Sequence, residues 1–325
     1  MGTKCEDIID NKYTELLTIC IPTYNRYQVL LEGVIDLIAK VKKYNIPIIV
    51  VDNCSTDDTA KIAELKKDYK YLSYFCQESN KGYDINFETS LKLSKAKYTW
   101  VISDANRLNI NNIAKLLNDL ETYLPLAYIV NSKNRVKNKA KEYNNVNDLI
   151  SNLGWHMTML SATIFSKEII DNANFPKYRG TNFLHFGVLF EYFANAQDFR
   201  VMWSGLEMIR TSKLSKSNSW NPYRVAEIFG KDWTEIVLSL PKTIDNAAKI
   251  ECIKKHGKLS KIFSLKHLCK QRAVNGLNDK IFTEVKPFIK YFAPNKEFLI
   301  LLISKMPNAI NFYYWKYKIQ NKLKP

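Results

Sequence analysis

LLTICIPTYNR, residues 16–26, is an apolar run that stops abruptly in a polar cluster, and the rest of the chain can be read outward from it. Leu16–Pro22 is too short for a buried helix and has the composition of a buried strand; Thr23-Tyr24-Asn25-Arg26 is the turn that ends it. Downstream, Val29, Leu30, Val34, Leu37, Ile38 and Val41 recur close to a 3.6-residue period and predict a helix. Ile46–Val51 predicts a second strand ending on Asp52-Asn53, and Ser55-Thr56-Asp57-Asp58 opens a helix in N-cap fashion. Tyr71–Cys76 is a third strand, Asn80-Lys81-Gly82 a turn and Asp84–Ser94 a helix. Tyr98–Ser103 is a fourth strand, ending on Asp104-Ala105-Asn106-Arg107. This alternation is that of an α/β fold with a mostly parallel sheet covered by helices on both faces. Ligands of such sheets bind beyond the C-terminal strand ends, so the clusters at 23–26, 52–53 and 104–107 should converge on one edge.

The pattern then loosens. A helix at Ile113–Tyr123, a strand at Leu126–Val130, a polar loop over Asn131–Asn147, a strand at Met159–Phe165, a helix from about Asn182 to Ala194 and a strand at Phe199–Trp203 are expected. Beyond Ser212 helices dominate, including Val225–Leu240. We therefore divide the chain into an α/β domain over 1–212, with halves 15–108 and 109–212, and a mainly helical region over 213–325. The charge follows the same division. The chain carries 48 Lys and Arg against 32 Asp and Glu, a net charge of +16, yet residues 251–325 hold 16 basic and 4 acidic residues. Ten Gly and ten Pro exclude a collagenous or low-complexity chain. Six cysteines, Cys5, Cys20, Cys54, Cys76, Cys252 and Cys269, form no CxxC pair and suit a reducing compartment. The acidic, polar N-terminal stretch does not read as a signal peptide, and no apolar run approaches the ~20 residues that span a bilayer.

The strand-end residues carry the chemistry. A carboxylate after the second strand can hydrogen-bond a base or ribose. Asp104-x-Asn106 offers two oxygen ligands to one hard cation holding a diphosphate. Each residue alone is as well explained as a turn former or helix cap. In order and spacing, CIPTYNR (20–26), VVDNCSTDDT (50–59), SNKGYDINF (79–87) and KYTWVISDANRL (97–108) resemble the nucleotide-binding half of family 2 glycosyltransferases, which have the GT-A fold. LSATIFSKE (160–168), TNFLHFG (181–187) and SNSWNPYRVAEIFGKDWTEIVLSLP (217–241) extend the resemblance to the abequosyltransferase-like transferases of bacterial surface polysaccharides. The resemblance implies transfer from a nucleotide-diphosphate sugar, a UDP-sugar first, to a lipid-linked or polymeric glycan, with inversion favoured. It implies that Pro22, Tyr24, Arg26, Asp52, Asn53, Lys81, Asp84, Asp104 and Arg107 border the nucleotide. It also implies that Asp104 and Asn106 hold Mn²⁺ or Mg²⁺. The neutral Asn106 departs from the acidic pattern and should weaken metal binding; Arg107, or another cation, is expected to share in neutralising the leaving diphosphate.

Inversion needs a base for the acceptor hydroxyl. TNFLHFG offers His185 and no carboxylate, with Glu191 and Asp198 as fallbacks; a core or helix-capping role fits His185 equally well. Trp155, His156 and Trp220 are candidate acceptor walls, or ordinary packing. In the basic region, Lys254, Lys255, Lys258, Lys261, Lys266, Lys270 and Arg272 interleave with apolar residues, and Phe312–Lys318 mixes aromatics with cations. That mixture suits an anionic membrane surface and a peripheral location at the inner face of the cell membrane; a helical subdomain packed for its own sake is the other reading. A nucleotide-sugar or polyanion-binding module without catalysis stays open as an alternative function. Nucleic-acid binding is not expected, because no recognised motif accompanies the charge.

Overall fold

The computed structural model describes residues 12–212 and 222–307. Within these, residues 12–149 and 156–212 make one compact unit, and 150–155 with 222–307 a second. The excursion of 150–155 into the helical unit is the difference from a simple division near residue 212. No local sequence signal marks it.

The first unit is a mixed α/β sandwich. In chain order it contains β1 (Leu17–Thr23), α1 (Tyr27–Val41), β2 (Ile48–Asp52), β3 (Leu72–Cys76), α2 (Tyr83–Lys92), β4 (Tyr98–Val101) and β5 (Asn106–Leu108). It continues with α3 (Ile113–Tyr123), β6 (Ala127–Ser132), β7 (Lys141–Tyr143), β8 (Thr163–Ser166), α4 (Lys167–Asn172), α5 (Leu184–Asn195) and β9 (Val201–Thr211). The strand order is β3-β2-β1-β4-β8-β6-β9-β5, with β7 paired to β9. The four strands read from the first hundred residues are mutually parallel, and Thr23 lies level with Asp52. The chain moves outward from β1 to β2 and β3, then returns to the other side of β1 as β4. That reversal opens a crevice between the C-terminal ends of β1 and β4, where ligands of such sheets bind.

Alternation along β1 sorts its side chains. Leu17, Ile19 and Ile21 join Leu30, Val34 and Leu37 of α1 and Leu116, Leu117 and Leu120 of α3 in one buried cluster. Fully burying each such side chain contributes roughly 1.5–3 kcal/mol. The opposite face is covered by α2 and by the aromatic helix α5, where Phe87 meets Phe165 at 5.9 Å and Phe186 meets Phe190 at 4.4 Å between ring centroids.

Three local readings change. Asp58–Lys67 is a 3-10 helix rather than an α-helix, since only Thr59 and Ile62 are buried and no apolar stripe demands the wider turn. The polar stretch 131–147 contains β7, which adds to β9, and β9 runs on to Thr211 rather than ending near Trp203.

The second unit consists of α6 (Trp233–Ser239), α7 (Asn246–Leu259), α8 (Leu265–Ala273), α9 (Asp279–Val285), α10 (Ile289–Phe292) and α11 (Glu297–Lys305), with 150–155 packed on α7. Its centre is aromatic: Phe229 and Trp233 lie 5.2 and 5.4 Å from the His256 ring, and Phe263 lies 4.2 Å from Phe292. Lys255 Nζ donates to Ser151 O at 2.9 Å and ties the excursion down. Among the described residues no helix is long and apolar enough to cross a membrane. Trp220 and the segment Phe312–Lys318 lie outside the described residues.

Candidate functional site

The strand ends form one hydrogen-bonded edge. Asn53 N donates to Thr23 O at 3.0 Å, locking the first two exits together. Asn25 sits at φ 50°, a left-handed conformation that Asn tolerates better than most residues. Its backbone N–H reaches Ser55 Oγ at 2.8 Å while its Oδ1 accepts from Thr56 N at 2.7 Å. Asp57 accepts Tyr27 N at 3.0 Å and so caps the start of α1 from outside. Asp52 is almost wholly buried and fully engaged: Oδ1 accepts from Ser55 N and Oγ at 3.0 and 2.5 Å, and Oδ2 from Tyr74 OH at 2.6 Å. Asn53 holds the third exit by donating to Asn80 Oδ1 at 2.8 Å and accepting Lys81 N at 3.0 Å. The Lys81 side chain is exposed, as is Tyr24; Pro22 is half-buried.

Across the crevice stands Asp104. Its Oδ1 meets Arg26 Nη1 at 2.7 Å and its Oδ2 accepts from Thr23 Oγ1 at 3.2 Å. Burial pushes this carboxyl upward from the ordinary carboxylate range, and the Arg26 charge pulls it back. Asn106 Nδ2 donates to Ser161 Oγ at 2.8 Å; the same hydroxyl accepts Ser103 N at 3.0 Å. Arg107 does not do what its position in sequence suggested. Its guanidinium donates to Asp104 O and Asn106 O at 2.8 Å each, to Val29 O at 3.0 Å and to Glu32 Oε2 at 3.0 Å. It is a latch between the 104–107 turn and α1, turned away from the crevice, and Gly33 of α1 leaves the space it fills. The cation at Asp104 is Arg26.

A divalent ion fits this donor set poorly. One carboxylate is already neutralised by an arginine, and the other candidate is a neutral amide whose Nδ2 is tied to Ser161 and whose single oxygen is all it can offer, whereas hard cations need several oxygens. Among the described residues no three His, Cys, Asp or Glu side chains gather to hold a metal.

The acceptor side corrects several sequence expectations. Asp84, at the start of α2, is buried and turns toward the 179–184 loop, accepting Gly180 N at 2.7 Å and Asn182 N at 3.3 Å. Burial raises its carboxyl and those backbone N–H groups oppose the rise. Glu88, one turn on, pairs with both Arg179 Nε and Nη2 at 2.8 Å. His185 lies in the first turn of α5 and is 3% exposed, its ring centroid 5.7 Å from that of Phe87. Burial pushes its imidazole down to about 4, and the backbone of Thr158 and Met157 opposes the fall. Glu191 and Asp198 are on the wrong edge. Glu191 pairs with Lys177 at 2.6 Å and lines a groove with Glu168 and Asn172, which follow β8. Asp198 precedes β9, whose first residue lies level with Ala127 at the start of β6. Both therefore stand at the end of the sheet opposite Asp104. Trp155 and His156 are packing residues rather than acceptor walls: Trp155 is buried, and His156 lies against Trp203 with Nε2 3.0 Å from Val130 O. Asn86 and Ser161 belong to this edge without any motif that marks them. Asn86 Nδ2 donates to Val51 O at 3.1 Å and Oδ1 accepts from Gln77 Nε2 at 3.0 Å, joining α2 to the strand ends.

Comparison with known proteins bears on the family and the fold. The profile described as Glycosyl transferase family 2 matches residues 18–196. Abequosyltransferase RfbV of Salmonella typhimurium is 26% identical over 205 residues, covering 55% of this chain and 61% of that protein. The match thus spans about three-fifths of the relative's length. TarS 1–349 of S. aureus, solved in complex with UDP-GlcNAc, superposes with a TM-score of 0.57 at 15% identity, covering 93% of this chain and 92% of that one. The mannosyltransferase PcManGT of Pyrobaculum calidifontis, in complex with GDP-Man and Mn²⁺, superposes with a TM-score of 0.53 at 14% identity, covering 90% and 86%. At these identities the two structures share the fold.

Proposed function

The chain belongs to glycosyl transferase family 2, and from that premise we propose that it moves a sugar from a nucleotide-diphosphate sugar to a hydroxyl of a bacterial surface glycan, lipid-linked or polymeric, with inversion. One observation carries the reading. The Arg26–Asp104 pair stands at the reversal point between β1 and β4, where a doubly wound sheet receives a nucleotide. The donor class is supported by the two structural neighbours, which were solved with UDP-GlcNAc and GDP-Man. The acceptor class is supported by the abequosyltransferase relative. A UDP-sugar is the first donor to try.

In such a transfer the acceptor oxygen attacks the anomeric carbon from the side opposite the diphosphate, and a base takes its proton. Of the three candidates, His185 is favoured because its ring lies against Phe87 of α2, the helix that Asn86 joins to the strand ends. Its imidazole is neutral at pH 7, as a base must be. The test is transfer of labelled sugar from UDP-, GDP-, CDP- and dTDP-sugars to glycan extracts by the wild type, His185→Ala and His185→Asn. Loss of turnover with unchanged nucleotide binding supports the base. Binding without any release or transfer favours the non-catalytic module instead.

A second reading concerns where the reaction takes place. At the end of α7 and the start of α8, Leu259 and Leu265 are 46% and 58% exposed, and Lys254, Lys258, Lys261 and Lys266 are exposed around them. Apolar side chains ringed by lysines suit an anionic lipid surface, with the enzyme peripheral at the inner face of the cell membrane. Sedimentation with vesicles containing an anionic lipid, lost in the triple variant Lys258→Glu, Lys261→Glu, Lys266→Glu, supports it; equal sedimentation of the variant refutes it.

A further inference from the structure

We infer that Arg26 is the resident cation of the donor site, taking the place of a divalent metal at Asp104 and meeting the donor's diphosphate through Nη2. The inference rests on the nucleotide-sugar reading above and deepens it.

Three observations converge. First, Arg26 Nη1 lies 2.7 Å from Asp104 Oδ1, within the space a metal bound to that carboxylate would need. Second, the other end of the guanidinium is uncommitted: Arg26 Nη2 is buried and has no hydrogen-bond partner among the described residues. A buried, always-charged N–H donor without an acceptor is costly, and a phosphate oxygen is the acceptor that a planar guanidinium fits well. Third, the charges match. A divalent ion between two carboxylates leaves no net charge. One carboxylate, one amide and one guanidinium leave none either, so Asn106 and Arg26 compensate for each other. Asn106 is held out of the ion pair by Ser161, and Asp104 is held in it by Thr23. The guanidinium is therefore oriented before any ligand arrives, with Nη1 fixed and Nη2 left without an acceptor.

The transfer step then needs no metal. The bond from the anomeric carbon to the β-phosphate oxygen breaks, and its electron pair goes to that oxygen. The acceptor oxygen bonds the anomeric carbon, and its proton goes to the base assigned above. Arg26 keeps its own protons and meets the charge that builds on the released nucleoside diphosphate.

The test is calorimetric binding of UDP, GDP, CDP and dTDP to the full chain, in EDTA and in Mn²⁺, for the wild type, Arg26→Ala and Arg26→Lys, with melting curves to show that each is folded. The expected result is that one nucleotide binds the wild type with affinities in EDTA and Mn²⁺ that agree within about threefold. In Arg26→Ala the affinity in EDTA should fall by about tenfold or more and recover in Mn²⁺, because the freed Asp104 carboxylate then accepts the ion. Arg26→Lys, which keeps the charge and loses the fork, should fall between the two. A merely structural Arg26 would not create metal dependence. Wild-type binding that requires Mn²⁺ overturns the inference and leaves the donor reading intact. Metal-free binding that Arg26→Ala does not weaken also overturns it. Absence of binding by any nucleotide under both conditions removes the donor reading, and this inference with it.

Discussion

Two histidines buried as neutral rings should make the first unit sensitive to mild acid. Burial drives His156 and His185 down to about 4 each, against about 6.5 in an unfolded chain. A histidine depressed in this way is neutral when folded and takes up a proton on unfolding once the pH falls below 6.5. Its stabilisation is therefore complete above about pH 6.5 and is lost as the pH drops toward 4. For one ring the loss relative to neutral pH is about 2 kcal/mol at pH 5 and about 3 kcal/mol at pH 4. Two rings together remove about 4 kcal/mol at pH 5, a large part of the 5–15 kcal/mol typical of a domain. Asp84 and Asp104, both raised by burial, work in the opposite direction, so the comparison must be made against variants. Urea unfolding at pH 7.5, 6 and 5 should show His185→Asn and His156→Gln each flattening the wild-type pH dependence by about 2 kcal/mol at pH 5. A His185→Asn protein whose midpoint falls with pH as steeply as the wild type refutes the reasoning.

Other substitutions test the architecture around the site. In Gly33→Ala the new Cβ would stand 2.7 Å from Arg107 Nη1; overpacking of this kind costs roughly 1–3 kcal/mol and should appear as a lower melting temperature. Arg107→Met leaves the carbonyls of Val29, Asp104 and Asn106 without their donor, and should destabilise the fold by about 3–5 kcal/mol, read by urea unfolding. Asp84→Ala frees the 179–184 loop; faster proteolytic cleavage there and a raised acceptor KM are expected. Glu191→Gln and Asp198→Asn, at the far end of the sheet, should keep transfer rates within about a factor of two of the wild type.

The first hundred residues were legible because their apolar runs are short, bounded by polar turns and spaced for strand–helix alternation. Leu16–Thr23 and its neighbours then had one sensible arrangement, and it put Thr23, Arg26, Asp52, Asn53 and Asp104 on one edge. What that reading lacked was direction. Arg26 and Arg107 are both arginines beside strand ends. Only the packing of α1, with Gly33 opening a slot, shows that Arg107 turns inward to carbonyl groups while Arg26 crosses to Asp104. Ser161 was invisible for the same reason, since its bond to Asn106 spans 55 residues. Glu191 and Asp198 misled because their distance along a helix says nothing about which end of the sheet that helix reaches. His156 misled because a histidine in an aromatic stretch looks alike whether it faces a sugar or, as here, Trp203.

The most direct test of the account is release of nucleoside diphosphate from a panel of nucleotide sugars by the wild type and by Asp104→Asn. The account predicts release from the sugars of one nucleotide, stimulated by a glycan acceptor and reduced by about a hundredfold or more in Asp104→Asn, whose neutral amide no longer anchors Arg26. Release by Asp104→Asn at the wild-type rate, or no release from any donor in the panel, would contradict it.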